Sequence, residues 1–119
     1  MTISFRVDVT PAPQERPRFS STGKPYYTLA SKNYRTVISD AAQQAMGDCT
    51  PISVPVAVTI DFFKNLDISH SHFGDVDNLT KAVLDGMNKI VYKDDRLVYC
   101  LISRKIQDED EHIEVHVDF

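Results

Sequence analysis

From residue 54 to residue 62 every second side chain is large and apolar: Val54, Val56, Val58, Ile60 and Phe62. Successive side chains of a strand point to opposite faces, so this run predicts a strand from about Ile52 to Lys64 with one face buried. Beyond it the period changes. Asp77 and Asn78 are good helix starters, and Leu79, Ala82, Val83 and Met87 then recur at helical spacing, which predicts a helix ending near Asn88. A chain that moves from one period to the other needs an architecture in which a helix covers a sheet.

The remaining elements extend that pattern. Ile3, Phe5, Val7 and Val9 alternate as a first strand, stopped by Thr10-Pro-Ala-Pro. Gln14 to Pro25 reads as a loop and Pro25 to Leu29 as a short extended piece. Ser31 is placed to cap a helix over about 32–46, closed by Gly47. Leu97 to Ile106 reads as a strand, Asp108 to Glu111 as a solvated turn, and Ile113 to Val117 as a last strand, pairing with its predecessor as a hairpin. The expected fold is α+β, a single domain over residues 1–119 in the order β-α-β-α-β-β, with a mixed sheet of about four strands and two helices packed on it.

No apolar run approaches membrane-spanning length, and the opening Met1-Thr2-Ile3-Ser4 resembles no signal peptide, so a cytoplasmic protein with no membrane partner is expected. Cys49 and Cys100 are too few for a disulfide framework and lack metal-pair spacing. The net charge of −4 argues against nucleic acid until its distribution is considered. Residues 1–47 carry six Lys/Arg against three acids, whereas residues 106–119 carry six acids and no Lys or Arg. The basic segment, with Arg16, Arg18 and Lys24 around Phe19, is the candidate for phosphate contact, and Phe19 for stacking on an unpaired base. Read blandly, it is a charged solvated loop.

The residues with chemistry to offer lie between 75 and 95. Asp75 and Asp77 would share one side of an extended strand end, and Asp77, Lys81 and Asp85 form a polar stripe at four-residue spacing. The link 89–93 is long enough to swing Asp94-Asp95 back toward them. Converging carboxylates are the hard ligands that Mg²⁺ and Mn²⁺ prefer, and such ions catalyse phosphodiester cleavage. The other reading of the same residues is a helix cap, a surface ion pair and a turn. A calcium EF-hand loop is excluded, because Leu79 and Thr80 stand where it needs an oxygen ligand and glycine. His70 and His72 lack the partners of a zinc site and read as surface residues, with phosphate contact as the other option.

The run Asp75-Val-Asp-Asn-Leu-Thr-Lys-Ala-Val-Leu-Asp-Gly-Met, followed by Tyr92-Lys-Asp-Asp, resembles the RusA family of Holliday junction resolvases. Pro11-Ala-Pro-Gln-Glu-Arg-Pro-Arg-Phe and Gly23-Lys-Pro-Tyr-Tyr are similar to that family's opening, so the resemblance spans nearly the whole chain. It implies a small dimeric endonuclease of DNA recombination and repair, often encoded by phages and prophages. Its cofactor would be Mg²⁺ or Mn²⁺, with no small-molecule cofactor, and its partner four-way junction DNA. The products would carry 5′-phosphate ends. Asp75, Asp77 and Asp95 correspond to the metal-binding carboxylates and Lys81 to the catalytic lysine. Asp85, a turn beyond Lys81, is placed to orient that lysine rather than to bind metal, and Asp94 to assist Asp95. Family members commonly carry Lys or Arg just before the first aspartate, where this chain has His72-Phe73-Gly74.

Two other functions fit the same residues: a nuclease acting on other branched or single-stranded nucleic acid, and a non-catalytic junction-binding protein with a structural ion. Lys81 separates them, since a lysine beside a purely structural cation would only repel it. Symmetric cutting of a junction needs two sites, hence a homodimer. Either the 52–64 strand or the 32–46 helix is a candidate for its interface.

Overall fold

The computed structural model describes residues 1–15 and 17–119. Two helices cover one face of a four-stranded sheet, and a small two-stranded ribbon stands beside them. The large strands are β1 (Thr2–Val7), β4 (Val56–Lys64), β5 (Val98–Gln107) and β6 (His112–Asp118); the ribbon pairs β2 (Arg18–Phe19) with β3 (Pro25–Tyr26). The helices are α1 (Leu29–Met46) and α2 (Val76–Met87). The α+β, single-layer-of-helix architecture is the one the periodicities predict. No helix among the described residues is long and apolar enough to cross a membrane.

The sheet order is β1-β6-β4-β5, with β4 and β5 parallel and the other pairs antiparallel. The expected β5–β6 hairpin does not form, because β4 lies between the two strands. The physical reason is burial. The inward side chains of β6 (Ile113, Val115, Val117) meet Val7, Phe5 and Ile3 of β1 on one side and Phe62, Ile60 and Val58 of β4 on the other. All three are fully buried there, at about 1.5–3 kcal/mol each. β5 offers Leu101, Ser103 and Lys105 on the same face, a poorer set, and takes the edge. Four residues, 108–111, make the step over β4: extended chain reaches roughly 13 Å, more than two strand spacings of about 4.8 Å. Asp108 N donates to Lys64 O at that crossing.

Element limits differ from the sequence expectation at the caps. Helix α1 starts at Leu29, not near Lys32, because Thr28 Oγ1 accepts from Ser31 N (3.2 Å) and so caps the helix in place of Ser31. The same hydroxyl donates to Glu15 Oε2 (2.7 Å). Strand β4 begins at Val56; Ile52 and Tyr92 instead form an isolated bridge that closes the end of α2 against the sheet. The segment expected as a plain loop over 14–25 contains the β2–β3 ribbon, held by Ser20 N to Lys24 O (2.9 Å).

The helices meet where α2 has no side chain. A methyl group on Gly86 would sit 2.7 Å from Ile38 Cγ2 and 3.2 Å from Ile38 Cβ, so the close crossing requires glycine. Ser39 Oγ donates to Gly86 O (2.9 Å) at that contact. Leu79, Val83 and Met87 of α2 and Ile38, Ala42 and Met46 of α1 fill the space between the helices and β4.

Candidate active site

Helix α2 and the edge strand β5 bound a cavity of about 430 Å³. Asp77, Lys81 and Asp85 line it from α2, Leu101 and Ser103 from β5, and Asp95 from the turn before β5. The stripe at four-residue spacing is therefore real, and Leu79, Val83 and Met87 are buried on the opposite side of the helix. Thr80 Oγ1 fixes the α2–β5 separation: it donates to Val76 O (2.6 Å) and shares a hydrogen bond with Ser103 Oγ (2.7 Å).

Asp95 reaches the cavity through a compact return. Ile90 N and Val91 N donate to Met87 O, and Lys89, with φ +67, turns the chain so that its N–H meets Tyr92 O (2.8 Å). Tyr92 is fully buried and donates its hydroxyl to Leu84 O of α2 (2.8 Å). Burial, with the charges of Asp95 and Asp85 added, pushes that hydroxyl far above the usual tyrosine range. Asp94 does not share the cavity. Its carboxylate accepts from Arg96 N (3.0 Å) and caps the 3₁₀ turn Asp95–Leu97. That bond holds the Asp94 carboxyl below its ordinary value.

Asp75 is not brought into the cavity lining. It is the last extended residue (φ −79, ψ 138), and the helix begins at Val76. Asp77 is already inside the first turn, so the two-residue geometry of a strand end does not apply. Asp77 Oδ1 accepts from Asn78 N (2.9 Å), near the positive end of the helix dipole. The approach to Asp75 is held by groups the sequence did not point to. Gly74 has φ +94 and ψ 165, open only to glycine, and a Cβ there would meet the Pro13 ring at 3.5 Å. Lys105 Nζ donates to Gly74 O (2.9 Å) and Lys64 Nζ to His72 O (2.9 Å). Only β-strand register, invisible in a local pattern, brings those lysines to this loop.

Among the described residues no three His, Cys, Asp or Glu side chains lie close enough to form a metal cluster. Asp77 and Asp95 nonetheless suit a divalent ion by donor chemistry. Mg²⁺ keeps several waters and takes one or two protein carboxylates plus substrate phosphates. His70 and His72 are exposed; His70 Nδ1 accepts from His72 N (3.1 Å) and caps the turn Ser71–Phe73.

Lys81 is 63% exposed and its Nζ lies 3.5 Å from Asp85 Oδ2. Asp85, 25% exposed, also receives Gln14 Nε2 (3.4 Å) and stands 3.9 Å from an Arg35 guanidinium nitrogen of α1. Gln14 N donates to Asn78 O (3.0 Å), which pins the N-terminal loop onto the first turn of α2. The basic segment thus leaves from the site's own helix. Of its expected phosphate-binding residues, Arg16 lies outside the described residues. Arg18 and Lys24 are on the ribbon, exposed and away from the cavity lining, with Arg18 Nε 3.4 Å from Glu15 Oε1. Phe19 beside them is exposed as well.

The chain is 29% identical over 135 aligned positions to the uncharacterized protein YqaN of Bacillus subtilis (strain 168), across 97% of this chain and 94% of that protein. Residues 8–118 match the family described as endodeoxyribonuclease RusA, a span that holds every residue of the cavity and the loop pinned to α2. By that match over nearly all of its length, the chain belongs to the RusA endodeoxyribonuclease family.

Proposed function

We propose that this protein is a divalent-metal-dependent nuclease that resolves four-way DNA junctions by nicking two strands symmetrically. The observation that carries the reading is the meeting of Asp77, Lys81, Asp85 and Asp95 on one open cavity, in a chain of this family. Asp77 and Asp95 would hold Mg²⁺ or Mn²⁺ from the cavity, with Asp75, at the start of α2, as the third carboxylate that the family resemblance adds; the ion would neutralise charge at the phosphodiester and acidify water there. Lys81 presents its ammonium where negative charge grows on the phosphate, and Asp85 orients it. Arg16, Arg18 and Lys24 would contact the flanking backbone, Arg18 and Lys24 from the exposed ribbon that follows Gln14.

Two cuts on opposite strands call for two sites, which a two-fold homodimer supplies. Strand β4 has both edges taken up by β5 and β6 and so cannot offer one. The edge strands are β1 and β5; on β5, Tyr99, Leu101 and Ile102 are exposed beside the cavity, and this surface suits a second copy.

The test is nicking of a synthetic four-way junction with Mg²⁺ or Mn²⁺, against linear duplex of the same sequence and against chelator. Junction-selective nicking that stops with chelator is expected. Equal cutting of duplex, or no cutting of either, overturns the reading. The junction-binding alternative draws support from the Lys81–Asp85 pair, since a paired lysine tolerates a nearby cation; tight junction binding with no nicking would favour it.

A further inference from the structure

Helix α1 brings one cation to the edge of this site that neither motif nor stripe includes. The first eleven residues of α1, 29–39, contain Lys32 and Arg35 and no acid. Lys32 is exposed, and with Tyr27, Ser31 and Arg35 it borders a small cleft of about 30 Å³. The Arg35 guanidinium lies over the Tyr27 ring, 5.6 Å from its centroid, and 3.9 Å from Asp85 Oδ2. That same oxygen is 3.5 Å from Lys81 Nζ. One carboxylate therefore stands between two cations from different helices.

We propose that Arg35 is a DNA-binding residue of this site, gripping the backbone phosphate next to the one that faces Lys81, with Asp85 as the positioning residue that spaces the two cations. The inference rests on the nuclease reading and deepens it by naming the contact on the α1 side. Three physical points support it. First, Lys81 and Arg35 share one carboxylate, so this trio keeps a net positive charge that a polyanion can neutralise, while Asp77 and Asp95 would be offset by the divalent ion. Second, both contacts to Asp85 exceed ordinary hydrogen-bond length, so the guanidinium and ammonium donors retain capacity for phosphate oxygens. Third, Arg35 is 46% exposed yet held by a ring on one side and a carboxylate on the other. An arginine pre-organised in this way loses less freedom on binding than a free surface one, and its planar fork suits phosphate.

The experiment measures binding of a synthetic four-way junction by the full chain across a salt series, together with single-turnover nicking. Arg35→Gln keeps a polar stem over Tyr27 but removes the charge. It should weaken junction binding about tenfold or more, the scale of one hydrogen bond to a charged group. It should also lower the slope of log K against log salt by about 0.9. Arg35→Lys should recover the slope and only part of the affinity, because the fork is lost. Asp85→Asn should bind as tightly as wild type or tighter, yet nick more slowly at saturating protein, as expected of a residue that positions Lys81. If wild type binds and nicks while Arg35→Gln keeps its affinity and salt slope, this inference fails and the nuclease reading stands. If wild type neither binds nor nicks, both fail together.

Discussion

Lys81 is the residue whose environment is most open to test. As an exposed pair with Asp85 at four-residue spacing it contributes only about 0.3–0.5 kcal/mol to stability. As a donor to developing charge it is worth about 10²–10³ in rate. Lys81→Ala should therefore cut the single-turnover rate by that factor with a nearly unchanged melting temperature, and Lys81→Arg should rescue poorly. Asp77→Asn and Asp95→Asn should abolish nicking while junction binding persists, because asparagine keeps the shape and removes the ligand charge; the check is binding and nicking on the same preparation. Asp94 has a different task. Its carboxyl is depressed by the Arg96 N–H, so the unfolded chain takes up this proton at a higher pH than the folded one does. The stabilisation is complete above the ordinary aspartate value, about pH 4, and is lost as pH falls through the lower folded value. Asp94→Asn can still cap the turn but does not titrate. The wild-type advantage in melting temperature over this variant should shrink on acidification, and a constant gap would exclude the linkage.

At the scale of elements, the α1–α2 crossing sets the distance between the cations on either side of Asp85. Gly86→Ala adds a methyl group against Ile38, whose branched Cβ cannot swing away. Overpacking of this kind costs about 1–3 kcal/mol, against about 1 kcal/mol gained from helix propensity. A lower melting temperature is expected, with a larger relative loss in nicking than in stability, since the helices must part. An unchanged melting temperature would show that the crossing yields easily. The elements themselves were legible in the sequence because β4, β6 and α2 each keep one hydrophobic period throughout. Their ends were less so: Thr28 outcompetes Ser31 as cap through a bond to Glu15, thirteen residues away. Within the site, Asp77, Lys81 and Asp85 were readable as a stripe because the helix fixes them locally. Arg35 was legible only as a cation near the start of its helix that could extend the basic segment. Its meeting with Asp85, like that of Gln14, was not, since they reach that carboxylate across 50 and 71 residues of chain by helix crossing and loop docking.

For the whole molecule, strand order was the feature that local pattern misjudged. Nearness in sequence favours a hairpin, and the decision went instead to which strand had the most apolar surface to bury between two neighbours. Charge distribution acts at the same scale. The acids of 106–119 lie on β6 and its approach, away from the cavity lining, so they repel DNA without facing the site. Raising salt should consequently weaken junction binding less steeply than in a protein whose whole surface is basic, as a slope of log K against log salt would report.

The placement of β6 also dictates an order of assembly. Strand β4, helix α2 and strand β5 are consecutive in the chain and adjacent in space, and the last two bound the cavity. The slot between β1 and β4 can be filled only by the last strand, which closes contacts spanning more than a hundred residues, such as Thr2 with Asp118. Such distant closures come at a high entropic cost and are slow. The segment with the chemistry should thus acquire amide protection early in refolding, and β1 late, when β6 has docked beside it.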